Sequence, residues 1–156
     1  MQSIPTNVDL QEEKEHGIAE FPLEFNIDDT RDYLNQDINW HWHIEFELLY
    51  IQEGSITCYI NQATYTLAAG EGMMINSGVL HRFTADDHAI ITNIIFSPVF
   101  VASSDSLLYR KYVMPLEKSD TACVFFREDG AWQSQILRLL ETLFSRLRQP
   151  EWNELW

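Results

Sequence analysis

Between Phe21 and Ser97 apolar and polar residues alternate in short runs broken by turn residues, a pattern of antiparallel strands. The runs predict strands over Glu20–Phe25, Ile44–Gln52, Ser55–Ile60, Thr64–Leu67, Met73–Ile75, Leu80–Thr84 and Ala89–Phe96. Glu53-Gly54 and Asn61-Gln62 punctuate hairpins, and Gly70, Gly72 and Gly78 mark sharp turns. After Pro98 the spacing becomes helical, first over Leu107 to Val113 and then over Trp132 to Leu147. In the second stretch Trp132, Ile136, Leu139, Leu140, Leu143, Phe144 and Leu147 form one apolar stripe. Asp129 is its expected N-cap and Pro150 its expected stop. The stripe is wider than cover for a small sheet requires, so it reads either as cover alone or as cover plus a contact with a second copy of the chain. Residues 1–20 show no period and read as a flexible, solvated arm. The expected organisation is an arm over 1–20, a β-barrel over 21–100 and a helical dimerisation or linker segment over 101–156.

Hydrophobic residues make up 46% of the 156 positions and aromatics 13%, ample for one packed core, which excludes a disordered chain. A net charge of −14 would repel a phosphate backbone, so direct nucleic-acid binding by this chain is not expected. Cys58 and Cys123 both lie in hydrophobic stretches and are expected to be reduced thiols. The N-terminus lacks the apolar core of a signal peptide, and no apolar run approaches the roughly 20 residues that span a bilayer. The expected location is cytoplasmic.

Candidate chemistry concentrates in Trp40-His41-Trp42-His43-Ile44-Glu45-Phe46-Glu47. On one continuous strand His41, His43, Glu45 and Glu47 would share a face with Leu49 and Ile51. Trp42, Ile44, Phe46, Leu48 and Tyr50 would form an apolar reverse face, so something must cover the barrel there. His81 stands on a later strand with Phe83 in phase. Three imidazoles and a carboxylate suit a first-row divalent ion such as zinc, nickel, manganese or iron. They equally suit direct hydrogen bonds to an organic ligand, or a structural polar cluster. Parity places Trp42 in core packing under a helix. His16 and His88 have no evident partner and are expected at the surface, and Asp28-Asp29 and Asp86-Asp87 read as solvated turns.

The spacing His41-x-His43-x3-Glu47-x6-Gly54 matches the first signature of the cupin superfamily. Gly70-x5-Asn76-x-Gly78-x2-His81 matches the second, with Asn76 where proline is usual and Ala85 where the signature ends in asparagine. The wording from Glu45 to Gly54 and from Gly70 to His81 resembles the N-terminal sensor domain of AraC-type transcription regulators. That resemblance implies a mainly β fold, a cupin double-stranded β-helix or jelly-roll barrel followed by C-terminal α-helices. It also implies binding of a small-molecule effector, often a sugar or related metabolite, at His41, His43, Glu47 and His81, with Glu45 and Phe83 added from phase. In metal-binding cupins the first four are the ligands. The family dimerises through a helix after the barrel, here Trp132 to Leu147, and contacts DNA through a C-terminal helix-turn-helix half absent from this chain. A small cupin metalloenzyme (oxygenase, isomerase or lyase) is the rival reading, for which no further acid–base group beyond Glu45 stands near the motifs.

Overall fold

The computed structural model describes residues 1–149. Eight strands form an all-antiparallel barrel: β1 Leu23–Asp29, β2 Asp37–His41, β3 Phe46–Ile60, β4 Ala63–Ala68, β5 Gly72–Ile75, β6 His81–Thr84, β7 Ala89–Phe96 and β8 Cys123–Phe126. Helices α1 Pro98–Val101 and α2 Met114–Glu117 lie between β7 and β8, α3 Ala131–Leu147 follows β8, and a π-helical turn over Tyr109–Val113 leads into α2. The fold is the expected jelly roll with C-terminal helices.

The two strands expected over Ile44–Gln52 and Ser55–Ile60 are one, the 15-residue β3. Its first half pairs with β5 and β7, and its second half with β4 and β6. The register shifts between Ile51 and Glu53, and Gly54 follows at φ 74°. A Cβ on Gly54 would lie 2.1 Å from the His88 carbonyl oxygen, so neighbouring backbone as well as the positive φ demands glycine here.

Two strands were not foreseen. β2 begins in the polar Asp37 and runs into the histidine segment, so its short apolar content hid it; β8 is a four-residue edge strand pairing with β5. The chain leaves β2 at His41 and re-enters the sheet only at Phe46. Ile44 therefore sits exposed rather than on a covered face, and the Trp42 indole donates to the Asp9 carbonyl of the N-terminal segment instead of packing under a helix.

Two apolar clusters lie on the two sides of the strands. Inside the barrel Leu49, Ile51, Ile56, Cys58, Ile60, Leu67, Met73, Ile75, Phe83 and Ile91 are buried together. Outside, Phe46, Ile94, Phe96 and Phe126 meet Leu137, Leu140 and Phe144 of α3. The apolar reverse face of β3 thus finds its cover in the chain's own last helix. Each such side chain taken fully from water contributes about 1.5–3 kcal/mol.

The seven-residue stripe divides. Leu140 and Phe144 are buried, Ile136 and Leu147 are half-buried against the same cluster, and Trp132, Leu139 and Leu143 face outward. Leu137, outside the expected stripe, is buried in their place. Gly130 rather than Asp129 is the N-cap residue of helix α3, which ends at Leu147; Pro150 lies outside the described residues. Both cysteines are free thiols, Cys58 buried and Cys123 half-buried.

Asn76 accounts for its departure from the proline of the motif. It is buried, its amide donates to the carbonyls of Leu116 and Thr121 at 2.9 and 3.0 Å, and its Oδ1 accepts from Ser77 N at 2.9 Å. Its own N–H donates to the Ala122 carbonyl at 2.9 Å. A proline could supply none of these donors. Asn76 therefore clasps the segment between α2 and β8 onto the barrel.

Candidate effector and metal site

Three elements assemble the polar cluster that one strand was expected to carry. His41 closes β2, His43 lies in the connection, Glu47 is on β3 and His81 opens β6, paired across the sheet with His41. All four are buried. His41 and His81 rings lie 4.1 Å apart by centroid, and the Nε2 atoms of His43 and His81 stand 3.5 and 3.3 Å from Glu47 Oε2.

Nδ1 of His41 lies 2.8 Å from the Asn39 carbonyl, and Nδ1 of His81 lies 2.8 Å from the Val79 carbonyl. A carbonyl only accepts, so each Nδ1 carries a hydrogen, and in a neutral ring Nε2 then presents a lone pair. Nε2 of His43, Nε2 of His81 and Oε2 of Glu47 have no hydrogen-bond partner. Lone pairs this close need a proton or a cation between them. Three histidine nitrogens fall within 4.8 Å of one another, which fits a divalent ion, with the Nδ1 contacts as orienting partners. Burial pushes Glu47 up, but the neighbouring His43 and His81 outweigh it and hold the carboxyl well below its ordinary range. Burial, followed by the neighbouring His81, lowers His41 to about 4.

Beside this cluster lies a cavity of about 220 Å³ reached by His41, Glu47 and Phe83. Glu24, Asn26 and Asp28 alternate along β1, and Ile91, Asn93 and Ile95 along β7, to form one wall. Asp28, expected in a solvated turn, is a strand residue of this wall. Tyr33 donates to its Oδ1 at 2.7 Å, while Asn93 Nδ2 lies 3.4 Å from its Oδ2 and donates to Glu47 Oε1 at 3.1 Å. Burial and then Glu47 push the Asp28 carboxyl up despite the Tyr33 hydroxyl. The sequence signal was present: Leu23 to Asp28 alternates apolar and polar. Its polar side faces inward because the apolar Leu23 and Phe25 belong to the α3 side.

Of the other expected site residues, His43 and His81 do not line this cavity, and neither does Glu45. Glu45 lines an adjoining groove with His43, its Oε2 3.7 Å from His43 Nδ1.

The N-terminal segment forms part of the cavity wall. Residues 2–5 line it, Ile4 exchanges hydrogen bonds with the Asn39 side chain at 2.9 and 3.2 Å, and Gln2 N donates to the Asp32 carbonyl. Further along, Leu10 and Glu12 exchange backbone bonds with Trp42. His16, expected at the surface, is buried, with Glu12 at 3.3 Å and Glu24 at 3.6 Å, and its ring meets His43 edge-on. Burial alone would lower His16, but the Glu12 and Glu24 carboxylates raise it to about 9. Lys14 also pairs with Glu24.

Among the described residues no helix is long and apolar enough to cross a membrane. A family model described as the AraC-like ligand binding domain matches residues 30–154. The chain is 28% identical over 152 residues to the uncharacterized HTH-type transcriptional regulator YdeC of Bacillus subtilis (strain 168), covering 96% of this chain and 52% of the regulator. It thus spans about half the length of that curated relative. Similar solved structures include a cupin-2 domain containing protein of Shewanella frigidimarina, with 26% identity, 46% of this chain and 68% of the other covered, and a TM-score of 0.41. A cupin superfamily protein of Desulfitobacterium hafniense shows 8% identity, 52% and 72% coverage, and a TM-score of 0.46. With the family match running from just before β2 through the rest of the barrel and into α3, the chain belongs to the AraC-like ligand binding domain family.

Proposed function

We propose that this domain is a small-molecule switch: an effector enters the barrel cavity, and its presence is read by the N-terminal segment and by the arrangement of two copies about α3. The carrying observation is the cavity itself, with His41, Glu47 and Phe83 on one side and residues 2–5 of the same chain across it. Free energy for switching comes from the effector's preference for one arrangement of that segment over another. A sugar or related metabolite suits the histidine, carboxylate and amide groups, which offer both donors and acceptors to hydroxyls. His41, His43, His81 and Glu47 would hold a divalent ion, whose chemistry here would be to polarise a bound oxygen ligand. Outward-facing Trp132, Leu139 and Leu143 support a homodimer contact, of twofold symmetry by default. DNA reading in this proposal would fall to a helix-turn-helix part such as the name of the similar regulator indicates. No catalytic step is required, and the domain is not an enzyme in this reading.

The test is a melting screen of chelator-free protein against sugars and polyols, on wild type and His41→Ala, with metal content measured on the same preparations. An effector at a hundred times its Kd adds about 2.7 kcal/mol to the native state. A stabilising compound whose effect vanishes in His41→Ala supports the sensor. Absence of any such compound, with stoichiometric metal and substrate turnover, would instead favour the metalloenzyme.

A further inference from the structure

The charges lining the cavity can be paired off one by one. Lys14 is taken by Glu24, and His16 lies between Glu12 and Glu24. His41 gives its Nδ1 hydrogen to Asn39. Glu47 faces the histidine cluster, where a divalent ion would neutralise it. Among the described residues Asp28 has no ion pair: Lys14 acts on it only at a distance, and its direct contacts are the Tyr33 hydroxyl and the Asn93 amide.

Asn93 supplies an independent observation. It is 7% exposed and lines the cavity, and its Nδ2 faces both Asp28 and Glu47. Flipping the amide would set Oδ1 against two carboxylates, so the orientation is fixed by charge. Its Oδ1 is then left buried with no donor. A buried acceptor without a donor costs about 1–3 kcal/mol, which a bound ligand's N–H would recover.

We infer that the effector carries an ammonium or similar cationic N–H group seated between Asp28 and Asn93 Oδ1, on a small hydroxylated frame. An anionic ligand would bring a third negative charge beside Asp28 and Glu47, in a chain already carrying −14. The inference rests on the reading of this cavity as the effector site, and it fixes the charge of the ligand rather than its skeleton. It is also separate from the metal question, because neutralising Glu47 leaves Asp28 and Asn93 Oδ1 unmatched.

Three probes share a two-carbon frame and differ in charge: ethanolamine, ethylene glycol and glycolate. Each is titrated into isotopically labelled protein while the side-chain amide resonances of Asn93 are followed, in wild type and in the near-isosteric Asp28→Asn. Ethanolamine is expected to shift these resonances, with an affinity roughly tenfold weaker in Asp28→Asn, as loss of a charged hydrogen-bond partner implies. Ethylene glycol and glycolate are expected to leave them in place. If glycolate or ethylene glycol binds as well as ethanolamine, the cavity is an effector site but the cationic assignment is overturned. Ethanolamine binding that is unchanged in Asp28→Asn also overturns it. If no probe moves any cavity resonance, the cationic assignment fails together with the effector reading of this cavity.

Discussion

Replacing Phe144 by alanine would test whether α3 is bedded on its own barrel. The Phe144 ring is 1% exposed and lies 6.0 Å from the Phe25 ring, nearly parallel to it, and 6.4 Å from that of Tyr50. Truncating a buried phenylalanine removes its transfer free energy and leaves a cavity, together about 3–5 kcal/mol. For a chain of this size each kcal/mol moves Tm by roughly 2–4 °C, so the expected fall is roughly 6–20 °C. Leu139, five residues earlier and 59% exposed, is the control: in a monomer Leu139→Ala is expected to cost under about 1 kcal/mol. Unfolding is followed by far-ultraviolet circular dichroism at two protein concentrations well apart, because dimer contacts make Tm concentration-dependent whereas intrachain packing does not. Phe144→Ala should lower both curves equally, and Leu139→Ala should chiefly remove their separation. A loss below about 1 kcal/mol for Phe144→Ala would refute the packing assigned to α3.

Asn76→Ala removes the clasp on the α2–β8 segment. Losing its three side-chain hydrogen bonds is expected to cost about 2–3 kcal/mol and to make residues 116–122 the earliest site of limited proteolysis; protection equal to wild type would contradict the clasp. Glu24, pushed up by burial but held at about 2 by His16 and Lys14, gives a pH signature. A depressed carboxyl contributes stability that is full above its unfolded value near 4.5 and is lost as pH falls toward 2. The difference in melting between wild type and Glu24→Gln should therefore shrink across that window, and a difference constant with pH would refute the ion-pair role.

Apart from β2 and β8, the barrel strands and the last helix were legible because their apolar spacing is set by burial, and the grouping of His41, His43, Glu47 and His81 was legible through spacing. The reasoning that His41, His43 and Glu47 share one strand face was not correct, although they do converge. The chain turns out of the sheet between His41 and Phe46, and the Gly78 N–H bond to the His43 carbonyl joins that connection to the turn before β6. What stayed hidden was the polar wall. Asp28 read as part of a solvated turn and Asn93 was not singled out, because alternation does not say which side of a strand is wet, and here α3 dries the outer side. His16 was hidden for a related reason: its partners Glu12 and Glu24 are recognisable only once the arm lies across β1.

Strand β3 serves as a shared ruler. One run of backbone places Glu47 at the cavity, Leu49 and Ile51 in the inner cluster, and Phe46, Leu48 and Tyr50 under α3. Deleting one residue between Phe46 and Ile51 would exchange inside for outside on one side of the deletion, moving either the Glu47 carboxylate beneath the helix or Leu49 and Ile51 out of the inner cluster. No local repair is available, because β5 and β7 read the same ladder from opposite edges. The irregularity after Ile51 is the one place along β3 where an added residue can be absorbed without re-indexing the site. Length changes intended to tune this sensor therefore belong there or in the exposed loop at residues 103–105, not within the first half of β3.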